Sequence, residues 1–186
     1  INLNLRQGKF NFFLSSNYSY SDNDSKGNSF RQNKNEGIIE NYFNQNSINN
    51  RERKFTSIRF GSDYFLDNRN TITLSQGIVK GRFKTDGDQN QQYFDNNKEL
   101  TQTGERTSDE RFQFDRNNTQ LLYTHKFPKD GKQLDASVNV NYGNVKNIST
   151  ILNDFFNPDG TMNGDINRVR DEGANTNNQV TTKIDF

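Results

Sequence analysis

The chain has 186 residues, of which 28% are hydrophobic, 12% aromatic and 25% charged, and its formal net charge is +1. Compact domains are usually about 45–50% apolar, so a large sealed core is disfavoured, while the aromatic content and the low net charge argue against a fully disordered chain. The charge balance offers no basic stripe for nucleic acid, and the absence of cysteine excludes disulfide frameworks and cysteine-ligated zinc sites.

The chain opens with two predicted strands, residues 1–7 and 9–21, joined by a short turn at Gly8. In the second strand, apolar side chains recur at every second position over much of its length: Phe10, Phe12, Leu14, Tyr18 and Tyr20. Successive side chains of a strand point to opposite faces. The pattern therefore predicts a strand with one apolar and one mainly polar face.

The next two predicted strands, residues 54–66 and 71–84, flank a short Asp-Asn-Arg-Asn turn at residues 67–70. Asn and Asp accept the backbone angles of tight hairpin turns. The same alternation runs up to this turn and resumes after it: Ile58, Phe60, Tyr64, Ile72, Leu74 and Ile78. This region therefore predicts a β-hairpin with one apolar face.

The last predicted strands are residues 112–127, 132–147 and 178–186, and a short turn at residues 128–132 joins the first two. The sixth strand has the cleanest alternation, with apolar side chains at Leu134, Ala136, Val138, Val140 and Tyr142. The residues between them are Asp135, Ser137, Asn139 and Asn141. This strand also predicts one apolar and one polar face.

Three longer connections, about 22–53, 85–111 and 148–177, are rich in Asn, Gln, Asp, Lys and Gly and lack the apolar alternation. We predict them to be long polar loops, which are uncommon inside compact domains. Short and long connections then alternate strictly along the chain.

Strands with lipid on one side and water on the other show this alternation, and each needs only about 9–11 residues to cross a bilayer. Outer-membrane barrels also combine short periplasmic turns with longer extracellular loops. The prediction is an all-β, antiparallel up-and-down meander in which residues 1–186 form a single segment of a transmembrane outer-membrane β-barrel. A soluble antiparallel sheet with one face on a core is the alternative, because it also alternates.

Within the barrel interpretation, the apolar face would contact lipid and form the aromatic girdles. The residues predicted to lie there are Phe10, Phe12, Tyr18, Tyr20, Phe60, Tyr64, Tyr123, Phe127, Val138, Val140 and Tyr142. The charged residues on the opposite side of their strands, Arg6, Arg59 and Asp63, would line the lumen.

No catalytic, cofactor or metal site is predicted, and we expect no enzymatic activity. The single histidine, His125, falls beside a short turn on the predicted lipid side, with no nucleophile to serve. Four aromatic residues in the predicted loops are candidates for contacting a substrate or a surface lipoprotein: Tyr42, Phe43, Tyr93 and Phe94.

Several segments resemble one known family. The hairpin sequences at residues 63–74 and 125–132, together with residues 8–13 and 17–20, resemble the TonB-dependent-receptor-like outer-membrane barrels of Gram-negative bacteria. The resemblance implies a single-chain barrel of about 22 strands with a plugged lumen. It further implies a plug domain and energy supply through TonB.

The function expected from this resemblance is to form barrel wall and extracellular loops of an outer-membrane transporter for nutrient or chelate uptake. Its partners would be outer-membrane lipid, the remaining strands and plug of the same barrel, TonB, a surface lipoprotein and a small ligand, but no nucleic acid. Two alternatives stay open: a non-transporting barrel acting as an adhesin or scaffold, and a soluble β-rich surface domain.

Overall fold

The computed structural model describes residues 1–129 and 131–186, apart from the side chain of residue 165. It contains seven strands: β1 (Asn2–Gln7), β2 (Phe10–Asn35), β3 (Ile38–Phe65), β4 (Asn70–Asp95), β5 (Leu100–Lys126), β6 (Gln133–Phe156) and β7 (Met162–Asp185). They form one antiparallel sheet in which the spatial order equals the chain order, with β1 and β7 at its two open edges. The prediction of an all-β, up-and-down antiparallel meander is confirmed.

Hairpins occur at the three predicted short turns. Gly8 adopts a left-handed φ of 59°, which glycine tolerates without a steric penalty. The second hairpin is closed by a hydrogen bond of 3.0 Å from the Leu66 amide to the Asn70 carbonyl. In the third, the Phe127 amide donates to the Lys132 carbonyl at 3.0 Å, while Asp130 of the predicted turn lies outside the described residues.

The prediction of three long loops is wrong. Residues 22–53 continue β2 and β3, which stay paired until a tight turn at Glu36 and Gly37, where φ is 49° and 86°. Residues 85–111 likewise belong mostly to β4 and β5, and residues 148–177 mostly to β6 and β7. The predicted strands are therefore the ends of longer strands of 24–28 residues, with β1 as the exception.

Polar cross-strand contacts hold the extended parts together. Asn28 donates its side-chain amide to Asn46 Oδ1 at 2.7 Å, and Asn50 donates to both Asp22 and Asp24, at 2.8 and 2.9 Å. Directly opposed side chains are the unit of sheet stabilisation, and polar pairs serve as well as apolar ones. Because both faces of these segments are polar, they show no hydrophobic period, and a search for alternation misses them.

The strand register places the alternating apolar residues of all seven strands on one face, which we call the apolar face; the other is the polar face. Directly paired residues share a face, as in Leu5 with Phe12 and Leu14 with Phe60. The apolar band comprises Leu3, Leu5, Phe10, Phe12, Leu14, Tyr18, Ile58, Phe60, Tyr64, Ile72, Leu74, Ile78, Leu121, Tyr123, Leu134, Ala136, Val138, Val140, Tyr142, Val180 and Ile184.

The apolar band occupies only the end of the sheet next to the predicted short turns. Along β6 it runs from Leu134 to Tyr142, a rise of about 27 Å at roughly 3.3 Å per residue. No helix or second sheet covers it in the part of the chain that the structure describes. Among the described hydrophobic residues only Tyr42 and Phe43 are buried, so the sheet has no conventional core.

No helix formed by the described residues is long and apolar enough to span a membrane.

Candidate functional site

The apolar band is exposed across the whole width of the sheet. At the open edges Leu5 is 64% exposed and Ile184 is 71% exposed. In the central strands, which have a neighbour on each side, Leu74 is still 53% exposed and Leu121 is 49% exposed. The exposure therefore belongs to the face itself and is not an effect of the open edges.

The structure brings the predicted lipid-facing residues together. Those on strands β2, β3, β5 and β6 all lie on the apolar face, and Phe127 follows directly after β5. Phe127 packs edge-on against Phe186 and His125, with ring centroids 5.5 and 4.6 Å apart. Their contact with lipid stays a prediction.

A hydrogen-bond network closes the sheet at the short-turn end. Asn70 Oδ1 accepts the Tyr123 hydroxyl at 2.6 Å and lies 2.7 Å from His125 Nδ1. The Asp67 carboxylate accepts the backbone amides of Arg69 and Asn70, and this bonding holds the pKa of the Asp67 carboxyl below its ordinary value. His125 therefore has a structural partner at the turn.

At the other end of the apolar band, charged residues replace apolar ones at one height. Lys80 and Asp115, which are register partners, form the first ion pair above the band at 3.6 Å. Four residues further along β5, Arg111 pairs with Asp109 at 2.9 Å, and the Arg111 hydrogen bond holds the pKa of the Asp109 carboxyl below its ordinary value. Exposed ion pairs of this kind contribute little to stability. They are informative because they mark the height at which the apolar band ends.

The predicted lumen-facing residues Arg6, Arg59 and Asp63 share the polar face. Asp63 accepts hydrogen bonds from Asn11 Nδ2 at 3.0 Å and from Thr73 Oγ1 at 2.7 Å, on the two neighbouring strands. This satisfied carboxylate is fixed within the sheet. That the polar face lines a lumen stays a prediction.

Arginine side chains on the polar face stack on aromatic rings. Arg6 lies 4.9 Å from the ring centroid of Phe65, and Arg59 lies 5.8 Å from that of Phe13. Two further stacks, Arg31 on Phe43 at 5.0 Å and Arg116 on Phe114 at 5.2 Å, were not foreseen from the sequence. Arg116 and Phe114 share a face because they lie two residues apart on β5, whereas for the pairs on different strands the register shows which residues are neighbours.

Glycines on the polar face let aromatic rings cross between strands. Gly81 stands between Phe55 on β3 and Phe114 on β5, and the Phe114 ring covers the glycine. A methyl group at position 81 would lie 2.6 Å from Phe114 Cζ. The ring thereby reaches Phe55, Phe83 and Phe112, with centroids 6.0–6.5 Å apart across this cluster.

The four aromatic residues predicted in loops are strand residues. Tyr42 pairs with Phe94, and Phe43 pairs with Tyr93, whose rings lie 5.0 Å apart. Tyr42 and Phe43 are also the two buried hydrophobic residues among those that the structure describes, so neither is displayed on a loop. Their predicted loop position is wrong because polar strand segments on both sides of them lack a hydrophobic period.

The polar face contains a hollow of about 790 Å³, whose lining extends from β3 to β7 and includes Gly77 of β4. Arg59 and Arg116 line it from the neighbouring strands, together with Asn118, whose side-chain amide donates to Asn141 Oδ1 at 2.7 Å. Among the described residues, no group of three His, Cys, Asp or Glu side chains is placed to hold a metal ion.

No family model matches the chain, and no curated protein matches it either. The resemblance to TonB-dependent receptors therefore stays a prediction.

Proposed function

We propose that this chain is part of the wall of a Gram-negative outer-membrane β-barrel that belongs to a TonB-dependent transporter for nutrient or chelate uptake. The observation that carries the proposal is the apolar band. It crosses all seven strands at one height, each strand exposes at least one of its large side chains there, and charged residues begin directly above it.

Because removing apolar surface from water is favourable, we expect the apolar band to be covered by another apolar surface or medium. Soluble monomers rarely expose contiguous apolar patches larger than a few hundred Å². Burying one large aliphatic or aromatic side chain is worth about 1.5–3 kcal/mol. Lipid is the cover that fits best, because the nine residues from Leu134 to Tyr142 match the roughly 9–11 residues with which a tilted barrel strand crosses the apolar belt.

A membrane location also sets a requirement on the sheet edges. Backbone groups along the outer edges of β1 and β7, and along β2 beyond Ser16, have no strand beside them in the described sheet. Each unsatisfied backbone group in lipid costs several kcal/mol. The proposal therefore includes further strands of the same barrel, which would pair with both edges and close the wall.

The proposed mechanism rests on shape and involves no enzymatic chemistry. The apolar face seals against lipid, and the polar face, with Arg6, Arg59 and Asp63, lines a wet lumen. The extended hairpins beyond the band, such as residues 22–53, project outward and narrow the approach to the lumen. The expected partners are outer-membrane lipid, a plug, TonB, a surface lipoprotein and a small ligand.

Spin-label accessibility along β6 tests the membrane proposal, and the cysteine-free chain permits single-cysteine labelling without background. In protein reconstituted into phospholipid vesicles, labels at Val138 and Val140 are expected to be accessible to oxygen, which concentrates in lipid. Labels at Asn139 and Asn141 are expected to be accessible to a water-soluble nickel chelate.

Residues 149–152 of the same strand provide the control, because they lie beyond the apolar band and we expect water on both sides. Labels there should respond to the nickel chelate at every position. Labels at Val138 and Val140 that are accessible to the nickel chelate would contradict the proposal. Labels at these two positions that neither oxygen nor the nickel chelate reaches would also contradict it.

A non-transporting barrel acting as adhesin or scaffold shares the apolar band and is favoured by the long hairpins. Solute uptake separates the two: a TonB-dependent transporter supports uptake only in cells that contain TonB. Unchanged envelope attachment with no TonB-dependent uptake would favour the scaffold. A soluble β-rich domain would instead require a second layer over the apolar band.

A further inference from the structure

We propose that the hollow on the polar face is a binding site for the anionic group, a carboxylate or a phosphate, of a small solute. Arg59 and Arg116 would hold this group. The inference goes beyond the proposed function and does not depend on it, because the hollow would exist equally in a soluble sheet.

The register places the two arginines on either side of one glycine. Gly77 of β4 is the direct partner of Arg59 on β3 and of Asn118 on β5, and Arg116 lies two residues from Asn118 on the same face. Neighbouring strands are about 4.8 Å apart, so the two arginine strands are separated by roughly 10 Å. Gly77 has no side chain, so the floor on β4 is open beside Arg59, whereas Val79 is the residue of β4 that lies beside Arg116.

Both guanidinium groups are available to a ligand. Arg59 and Arg116 are exposed, and neither forms an ion pair within the part of the chain that the structure describes. The described ion pairs lie on the apolar face, apart from Lys183 with Asp185. The positive charge around the hollow is therefore not neutralised by the protein's own carboxylates.

Stacking on aromatic rings pre-organises these arginines for an anion. Arg59 lies over the Phe13 ring and Arg116 over the Phe114 ring, with the guanidinium carbons 5.8 and 5.2 Å from the ring centroids. A planar guanidinium presents its donors in a fork that matches carboxylate and phosphate oxygens, and such charge-assisted bonds are roughly twice as strong as neutral ones. A stacked side chain also loses less freedom when a ligand binds.

The remaining lining favours an anion over a cation. No carboxylate lines the hollow among the described residues, whereas amide side chains do, including Asn118, Gln120, Asn139 and Asn141. Amide groups donate to anion oxygens and also contact hydroxyls of the same solute. The chemistry therefore selects a small, polar, negatively charged molecule.

Calorimetric titration of the full-length protein in detergent, at low ionic strength, tests this inference. The probes are citrate, inorganic phosphate and the uncharged trimethyl ester of citrate. We expect citrate or phosphate to bind and the ester not to bind. The stronger of the two anions identifies the group as a carboxylate or a phosphate.

Variants Arg59→Gln and Arg116→Gln are each expected to weaken anion binding about tenfold, since each removes a hydrogen bond to a charged group. Arg6→Gln is the matched control, because Arg6 lies on the same face and stacks on Phe65 but does not line the hollow. Gly77→Ala adds a methyl group to the floor without a clash and should also weaken binding, with all charges retained.

Three results would overturn the inference: no binding of either anion, equal binding of the ester, or equal losses in Arg6→Gln and Arg59→Gln. The last would mean that only the general positive charge of the face matters. Failure of the membrane proposal is seen separately, in the spin-label accessibility of β6.

Discussion

Two glycines on the polar face have no room for a side chain, although both lie in ordinary strand conformation. A methyl group at Gly61 would collide with the Leu74 carbonyl oxygen and lie 2.6 Å from Phe13 Cζ. At Gly81 the obstacle is the Phe114 ring. These glycines permit close approach of neighbouring groups, and the ring above each restores contacts that a glycine in a strand otherwise lacks.

Gly61→Ala is expected to lower the free energy of unfolding by about 1–3 kcal/mol, because overpacking moves backbone that cannot swing aside. Gly77→Ala is the control, since its methyl group would meet only Asn118 atoms at 3.8 Å. Denaturant unfolding of the two variants in detergent measures the difference. A stability of Gly61→Ala equal to that of Gly77→Ala would show that the close contact with Leu74 does not exist in solution.

At the scale of elements, long two-sided polar strands are the main feature of this chain. The strands run about 24–28 residues, or roughly 80–90 Å, yet the regular apolar alternation on one face is confined to the stretch next to the short turns. Asn and Gln have low strand propensity, and strand propensity mostly reflects how side chains fit a pleated surface. Here hydrogen bonds between amide side chains of neighbouring strands provide that fit, such as the bond of 3.2 Å from Asn44 Nδ2 to Gln92 Oε1.

Hydrogen exchange distinguishes extended strands from loops. Residues 42–53 of β3 and 85–94 of β4 are paired on both sides, so their amides are expected to exchange slowly. The turn at Glu36 and Gly37 is the internal reference and should exchange fast. The exchange is measured by mass spectrometry. If the amides of residues 42–53 exchanged as fast as those of this turn, the result would contradict the extended strands and support the long loops predicted from the sequence.

At the scale of the whole molecule, the sheet separates its charges by face and by height. Apart from Lys183 with Asp185, the ion pairs of the described residues lie on the apolar face above the band, while arginines over aromatic rings occupy the polar face. A sheet with lipid on one side needs such a division, because a charge facing hydrocarbon is costly and a charge facing a wet lumen is not.

Arginine substitutions in β6 measure this division directly. Val138→Arg is expected to destabilise the vesicle-embedded protein by about 2–4 kcal/mol, the cost of an arginine on the lipid face near the bilayer midplane, because Val138 lies midway between Leu134 and Tyr142. Asn139→Arg, one residue away on the polar face, should change stability little. Equal effects of the two substitutions on the unfolding free energy in vesicles would argue against lipid on the apolar face.

The sequence by itself determined the short hairpins and the apolar face, because both depend on local features. Turn chemistry at Gly8 and at residues 67–70 fixes where the chain reverses, and a period of two fixes which side chains share a side of each strand. The common face of Arg6, Arg59 and Asp63 also followed from this period alone.

Only the tertiary structure decided how far the strands extend and which side chains meet across them. Residues 22–53 carry no hydrophobic period, so their pairing depends on partners such as Asp22 with Asn50, which are distant in sequence. The hollow between Arg59 and Arg116 depends on the register that puts Gly77 between them. Register comes from the sum of all cross-strand contacts, and no local segment contains that information.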